Sequence, residues 1–123
     1  MKTQEIRIII NVSQDKLFEF TIEPKNTSKW IDKAGIETVD TEQIGLGTKY
    51  VNNYGVLTVT DYDRGIFFEL TNEGTQYQCS YSHRKIDEKI TELTYFECML
   101  DGSLLIEPVN INRFKKLKNL MEE

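Results

Sequence analysis

Apolar and polar residues alternate along most of this chain, and clusters of turn-forming residues interrupt the alternation at roughly eight- to twelve-residue intervals. Alternation with a period of two is typical of strands that have one buried face. The pattern predicts seven strands, over residues 5–12, 36–41, 48–54, 56–62, 66–71, 75–86 and 90–100. Because no helical pattern separates the later strands, an antiparallel meander is favoured over parallel strands with crossover helices.

Two helical segments are predicted between the first two strands. Ser13 is a preferred N-cap residue, so a helix is expected over 13–22, and Pro24 stops it because the residue before a proline avoids helical backbone. Pro24 is in turn well suited to the first turn of a second, short helix over 24–31. That helix carries Trp30, the only tryptophan of the chain.

The last segment has a helical rather than a strand period, with apolar residues at Ile111, Phe114, Leu117 and Met121. A helix is predicted from Ser103, a candidate cap, to the C-terminus. Pro108 falls inside it, so either the helix is kinked there or regular helix starts after the proline. The sheet has one apolar face to cover, and this is the only long helix available to cover it. The fold class predicted is α+β.

The order strand, helix, short helix with Trp30, the run Gly45-Leu46-Gly47-Thr48, then only strands until a final helix resembles the START-like (SRPBCC) superfamily. The closest resemblance is to its small polyketide cyclase/dehydrase-type proteins. The resemblance spans nearly the whole chain and implies a single domain over residues 1–123. It also implies a helix-grip fold, in which a seven-stranded curved antiparallel sheet surrounds a long C-terminal helix. In this family the space between sheet and helix is the ligand cavity.

The faces that should point into such a cavity are rich in tyrosine. Strand alternation places Tyr50, Asn52 and Tyr54 on one inner face, Phe68 on the next, and Tyr77, Cys79 and Tyr81 on a third. A buried phenol needs a hydrogen-bond partner, so several inward tyrosines indicate a wet or ligand-occupied interior. The alternative is that these tyrosines lie at the rim and bind water or loop backbone.

The predicted ligand-binding residues share an inward position on a strand or on a covering helix. They are Trp30, Tyr50, Asn52, Tyr54, Phe68, Tyr77, Cys79, Tyr81, Tyr95 and Phe114. Trp30 is expected to act either as a lid over the cavity mouth or as a packing anchor for the second helix.

The register of the last hairpin decides where Glu97 lies. With an even number of loop residues, Cys79 faces Phe96; with the three-residue loop 87–89, Tyr81 faces Tyr95 and Cys79 faces Glu97. The second register agrees with the family resemblance and would place Glu97 inside the cavity. A buried carboxyl group is a candidate general acid or base, and Glu97 is the only catalytic candidate; on the alternative it lies on the solvated face.

The remaining chemistry of the sequence is sparse. His83, the only histidine, lies near no recognisable nucleophile, and Cys79 and Cys98 are too few for a zinc site of Cys and His ligands. We find no nucleotide-binding or catalytic-triad motif, so no metal and no cofactor is expected.

Charge and hydropathy limit the partners. The net charge is −5, and the one basic cluster, Arg113, Lys115, Lys116 and Lys118, is expected to be the solvated face of the last helix. Nucleic-acid binding is therefore not expected, since it needs clustered cations on a surface. No apolar run is long enough for a membrane span and no signal peptide is recognised, so a cytoplasmic location with reduced thiols is predicted. A homodimer is kept as an expectation.

Two functions remain open. The first is binding of a small hydrophobic or aromatic molecule in the cavity. The second is a polyketide cyclase/dehydrase-type enzyme that uses cavity tyrosines and Glu97 for acid/base chemistry, which would need at least two polar groups aimed at one point. A module that binds another protein through the last helix is a third alternative, and it would need an exposed apolar patch on that helix.

Overall fold

The computed structural model describes all residues from Met1 to Glu123, and its seven strands form one antiparallel sheet. The strands are β1 (Thr3–Ile10), β2 (Thr38–Val39), β3 (Lys49–Asn52), β4 (Gly55–Asp63), β5 (Phe67–Asn72), β6 (Tyr77–Asp87) and β7 (Ile90–Met99). Their order across the sheet is β1-β7-β6-β5-β4-β3-β2. The predicted α+β architecture with a seven-stranded sheet is confirmed.

Two short helical elements follow β1, as predicted. Helix α1 spans Gln14–Ile22 and is capped by Ser13, whose hydroxyl accepts a hydrogen bond from the Lys16 N–H. A 3₁₀ turn at Pro24–Asn26 leads into α2, Thr27–Trp30. The predicted second helix is therefore split, with its 3₁₀ part beginning at the proline.

The last hairpin adopts the register that places Glu97 on the inner face. Tyr81 pairs with Tyr95, Cys79 with Glu97, and Tyr77 with Met99. An irregularity between Lys85 and Asp87 absorbs one residue next to the turn. The predicted pairing is confirmed, but the three-residue loop 87–89 is not: Asp87 pairs with Ile90, so the turn itself has two residues.

The C-terminal helix is shorter than predicted. Helix α3 spans Asn112–Met121, so Ser103 does not cap it, and regular helix begins after Pro108 rather than running through it. Residues 100–111, which we call the strap, run between β7 and α3 without regular structure. The helix packs against β1 and α2, and Phe114 and Leu117 are buried on its inner side.

Aromatic rings form the centre of the core. Phe68 stacks on Tyr81 with ring centroids 4.7 Å apart, and Phe18 meets Phe68 edge to face at 5.8 Å. Trp30 and Tyr95 both contact Phe114, at 5.8 and 5.0 Å. This chain of rings joins α1, the sheet and α3. None of the helices has the length and apolar character that crossing a membrane would require.

Candidate functional site

A cavity of about 430 Å³ lies between the inner face of the sheet, α2, the strap and the first turn of α3. A volume in this range is typical of small-molecule sites. Strands β3 to β7 supply its wall, the strap residues Leu105 to Asn110 lie along another side, and 15 of its 25 lining residues are hydrophobic. The space exists because the strap, which has no inward helical face, covers the part of the sheet that a longer α3 would have covered.

Nine of the ten residues predicted to bind a ligand line this cavity. They are Trp30, Tyr50, Asn52, Tyr54, Phe68, Tyr77, Cys79, Tyr81 and Tyr95. The tenth, Phe114, does not line it: the ring is fully buried between Trp30 and Tyr95, so its prediction as a lining residue is wrong. Binding itself stays a prediction for the other nine.

The lining tyrosines differ in whether the protein satisfies their hydroxyl groups. Tyr50 donates to the Ile22 carbonyl at 2.6 Å, and Tyr54, at the half-exposed mouth, donates to the Asp32 carbonyl at 2.7 Å. Burial raises the pKa of Tyr50, Tyr77, Tyr81 and Tyr95 well above the ordinary phenol value. These phenols therefore remain protonated at neutral pH and act as hydrogen-bond donors.

Tyr81 is the exception among the buried phenols. Its side chain is only 4% exposed and lines the cavity, yet its hydroxyl forms no hydrogen bond with the protein. The Trp30 indole nitrogen is the only fully enclosed side-chain polar atom without a partner. The Tyr81 hydroxyl also has no partner, so it is not fully enclosed. The small exposed surface of Tyr81 thus faces the cavity with its donor unused.

Glu97 is fully buried, but it does not line the cavity. Its Oε1 accepts from the Tyr77 hydroxyl at 2.7 Å, and the Tyr77 hydroxyl is also hydrogen-bonded to that of Tyr95. Its Oε2 accepts from Gln4 Nε2 at 2.5 Å and from the Val109 N–H at 2.8 Å. The expectation that Glu97 faces the cavity is corrected, because its carboxylate is enclosed by Gln4, Tyr77 and Val109 instead.

Through these contacts Glu97 attaches the strap to the sheet. Gln4 Nε2 also donates to the Val109 carbonyl at 2.8 Å, so both backbone groups of Val109 are held by the Gln4–Glu97 pair. Leu105 adds a backbone hydrogen bond to Met1 at 2.9 Å. The strap is thereby attached to β1 and β7, which fixes one wall of the cavity.

Glu37 is a lining carboxyl group that the sequence analysis missed. Its two oxygens accept from Thr27 Oγ1 at 2.5 Å and from Asn52 Nδ2 at 2.6 Å. Burial raises its pKa, and the hydrogen bonds from Thr27 and Asn52 oppose that rise. Glu37 falls inside the predicted second strand, 36–41, but regular strand in the structure is confined to Thr38–Val39, and Glu37 precedes it.

Arg113 is the second missed residue, and its prediction as part of a solvated basic face is wrong. It lines the cavity and is half-buried, whereas Lys115 is exposed and Lys116 pairs with Asp32 at 3.1 Å. Helical spacing contained the signal: Arg113 lies four residues before Leu117, on the side of α3 that faces the interior. The side chain forms no ion pair and stacks on no ring.

His83 has a structural environment. Its Nε2 is hydrogen-bonded to Thr21 Oγ1 at 3.0 Å, and burial lowers its pKa to about 4. It lies outside the cavity lining, and no three His, Cys, Asp or Glu side chains are grouped as a metal site would need. The outward side of α3 is polar, with Lys115, Lys116 and Asn119 exposed.

Comparisons by sequence find no relative: no protein-family model matches the chain, and no curated protein does. Comparison by structure finds many. A Chromobacterium violaceum protein superposes with a TM-score of 0.72 at 11% identity, covering 100% of this chain and 99% of its own.

Two further similar structures have functional descriptions of their own. An HSP90 activator from Plasmodium falciparum has a TM-score of 0.68 at 15% identity, covering 97% of this chain and 86% of its own. The Aha1 dimer from Colwellia psychrerythraea has a TM-score of 0.66 at 16% identity, covering 99% and 97%. At such identities the likeness shows the fold alone: this chain has the helix-grip fold that these proteins share.

Proposed function

We propose that this protein is a START-like small-molecule binding protein that takes a hydrophobic or aromatic ligand into the cavity beneath the strap. The observation that carries the proposal is the cavity itself, about 430 Å³ of space with aromatic walls and a few polar groups. A core built only for stability is close-packed and leaves few voids larger than a water molecule. A space of this size is far larger than the voids that ordinary packing leaves.

The test is a titration with N-phenyl-1-naphthylamine, a neutral dye that fluoresces in apolar surroundings. We expect saturable binding of one dye per chain. Leu57→Trp should block it, because Leu57 lines the cavity and a larger ring would occupy the space. Val56→Trp is the matched control, since the neighbouring side chain on β4 is 47% exposed and does not line the cavity.

Two outcomes would contradict the proposal. Dye uptake that never saturates indicates adsorption to exposed apolar surface. Equal weakening by Leu57→Trp and Val56→Trp places the dye outside the cavity.

The enzymatic alternative has a different candidate group from the one predicted. Glu97 does not line the cavity and its oxygens are occupied, whereas Glu37 lines the cavity and has a raised pKa, which is typical of acid/base groups. Both Glu37 oxygens nevertheless have donors within the protein, so binding is the better-supported function. Native mass spectrometry of protein from its own organism separates the two: an enzyme converts the retained ligand on incubation, and Glu37→Gln stops the conversion.

A homodimer and a cytoplasmic location stay predictions. One similar structure is described as a dimer and another as an HSP90 activator, and those descriptions belong to those proteins. Light scattering at several concentrations would measure the assembly of this chain directly.

A further inference from the structure

Arg113 and Tyr81 line the same cavity, and the side-chain polar groups of both have no partner in the protein. Arg113 reaches in from α3 with no ion pair. Tyr81 stands on β6 with its hydroxyl unused. The Tyr81 ring packs on Tyr95, and Tyr95 packs on Phe114, the residue next to Arg113, with ring centroids 5.0 Å apart at each step.

An unpaired cation beside an apolar cavity is unusual. Buried charges are normally paired, because removing a guanidinium group from water without a counter-charge is unfavourable. Of the other cations of α3, Lys116 pairs with Asp32, Lys118 pairs with Glu122, and Lys115 is exposed to solvent. Arg113 is the one that lines the cavity.

The carboxyl groups around the cavity do not neutralise Arg113. Glu97 is committed to Gln4, Tyr77 and Val109, and Glu37 to Thr27 and Asn52. Glu107, on the strap, is exposed and forms no ion pair. No carboxyl group of the chain pairs with Arg113, so its guanidinium is free to bind an anion from outside the chain.

We propose that the ligand is an aromatic or aliphatic acid whose carboxylate is bound by the Arg113 guanidinium and the Tyr81 hydroxyl. A guanidinium group offers paired N–H donors that match the two oxygens of a carboxylate, and a phenol can add a third donor. The apolar part of the acid then contacts the aromatic wall around Phe68. This inference rests on the proposed binding function and adds the chemical class of the ligand.

The experiment is competition against bound N-phenyl-1-naphthylamine by two molecules of one shape, 2-naphthoic acid and 2-naphthalenemethanol, at pH 7. The acid is ionised there and the alcohol is neutral. We expect the acid to displace the dye at about 10-fold lower concentration or better. Arg113→Gln should weaken the acid about 10- to 100-fold and leave the alcohol within about twofold, since a charge-assisted hydrogen bond is lost.

Two further variants sharpen the assignment. Tyr81→Phe keeps the ring and removes the hydroxyl, so it should weaken the acid about 10-fold and the alcohol little. Lys115→Gln removes the same charge from an exposed position two residues away and should change neither. The dye affinity of each variant reports whether its cavity is intact.

The two proposals fail in different ways. If the wild-type protein does not bind the dye at all, the binding function itself is wrong. If the dye binds but the acid and the alcohol compete equally, the cavity is real and the inference of an acid is wrong. Equal loss of both competitors in Arg113→Gln also overturns it, because Arg113 would then shape the cavity rather than bind the anion.

Discussion

Beneath α1 and beneath the strap, the same sheet is covered in two different ways. Under α1 the interior is filled: Phe18 packs edge to face on His83 at 5.2 Å, and both nitrogens of His83 are within hydrogen-bond distance of Thr21 and the Ile66 carbonyl. Under the strap the interior is hollow, and Tyr81 and Arg113 have no partner. The apolar face of α1 fills the space below it, whereas the side chains of the strap line the space below them without filling it.

This difference separates residues that stabilise the fold from residues that are available to a ligand. Buried polar groups in proteins are nearly always hydrogen-bonded, so a group left unpaired beside a void is a candidate for a bound partner. Glu97, His83 and Tyr50 are satisfied within the chain, while Tyr81 and Arg113 are not. The predictions below test this division through stability.

The largest effect is expected at Glu97. Glu97→Gln replaces one of two acceptor oxygens with a donor, so at least one of the three donors now held by the carboxylate loses its acceptor. We expect the free energy of unfolding to fall by about 1–3 kcal/mol. Urea denaturation measures it.

Glu92→Gln is the matched control on the outer side of β7, where Glu92 pairs with Arg84 on the surface. It should change stability by no more than about 0.5 kcal/mol. If the two variants are equally mild, Glu97 does not hold the strap.

The second effect is a dependence on pH from His83. Its folded-state pKa is about 4 against an ordinary 6.5, because burial disfavours the charged ring. Between these values the unfolded chain binds the proton and the folded one does not, so stability falls as the pH drops from about 6.5 towards 4. From pH 7 to pH 5 we expect a loss of about 2 kcal/mol.

His83→Gln isolates this contribution, because it is the only histidine. Glu37 has the opposite sign: its raised pKa lets the folded state bind protons more readily, which favours folding as the pH falls. The free energy of unfolding should therefore fall more steeply between pH 7 and pH 5 in the wild type than in His83→Gln. Parallel curves would mean that the ring is solvated.

The positions of residues in regular strands could be predicted from the sequence. Alternation within β3, β5 and β6 placed Tyr50, Phe68 and Tyr81 on the inner face, because a strand period fixes the side of every second residue. Loop length left two pairings of the last hairpin open, and the resemblance to the START-like family favoured the one that the structure has, in which an irregularity next to the turn replaces the longer loop. The fold and most of the cavity wall were thus accessible from sequence.

Two features that the sequence did not predict, the strap and the position of Glu37, lie outside regular helices and strands. The strap has no regular structure, so neither its path over the cavity nor its hydrogen bonds to Glu97 could be derived from spacing. Glu37 lies in a similar irregular segment. Arg113 was misassigned because a charged residue in a basic cluster was taken as solvated, although its position four residues before Leu117 pointed inward.

The smallest effect, and the sharpest comparison, is between two tyrosines with the same exposure of 4%. Tyr50→Phe removes a hydroxyl that donates to the Ile22 carbonyl at 2.6 Å, so it should cost about 1 kcal/mol of unfolding free energy. Tyr81→Phe removes a hydroxyl with no partner in the protein, so stability should stay within about 0.5 kcal/mol of the wild type, or rise slightly.

Thermal unfolding of the two variants, without and with saturating 2-naphthoic acid, measures both the stability change and the effect of the ligand. The acid should raise the unfolding temperature of Tyr50→Phe as it does for the wild type, and raise that of Tyr81→Phe less, because at one ligand concentration the stabilisation of the folded state increases with the logarithm of the affinity. Equal stability losses in the two variants would mean that the Tyr81 hydroxyl already has a partner in the free protein. Tyr81 would then belong with the hydrogen-bonded groups that stabilise the fold, and not with the groups that are available to a ligand.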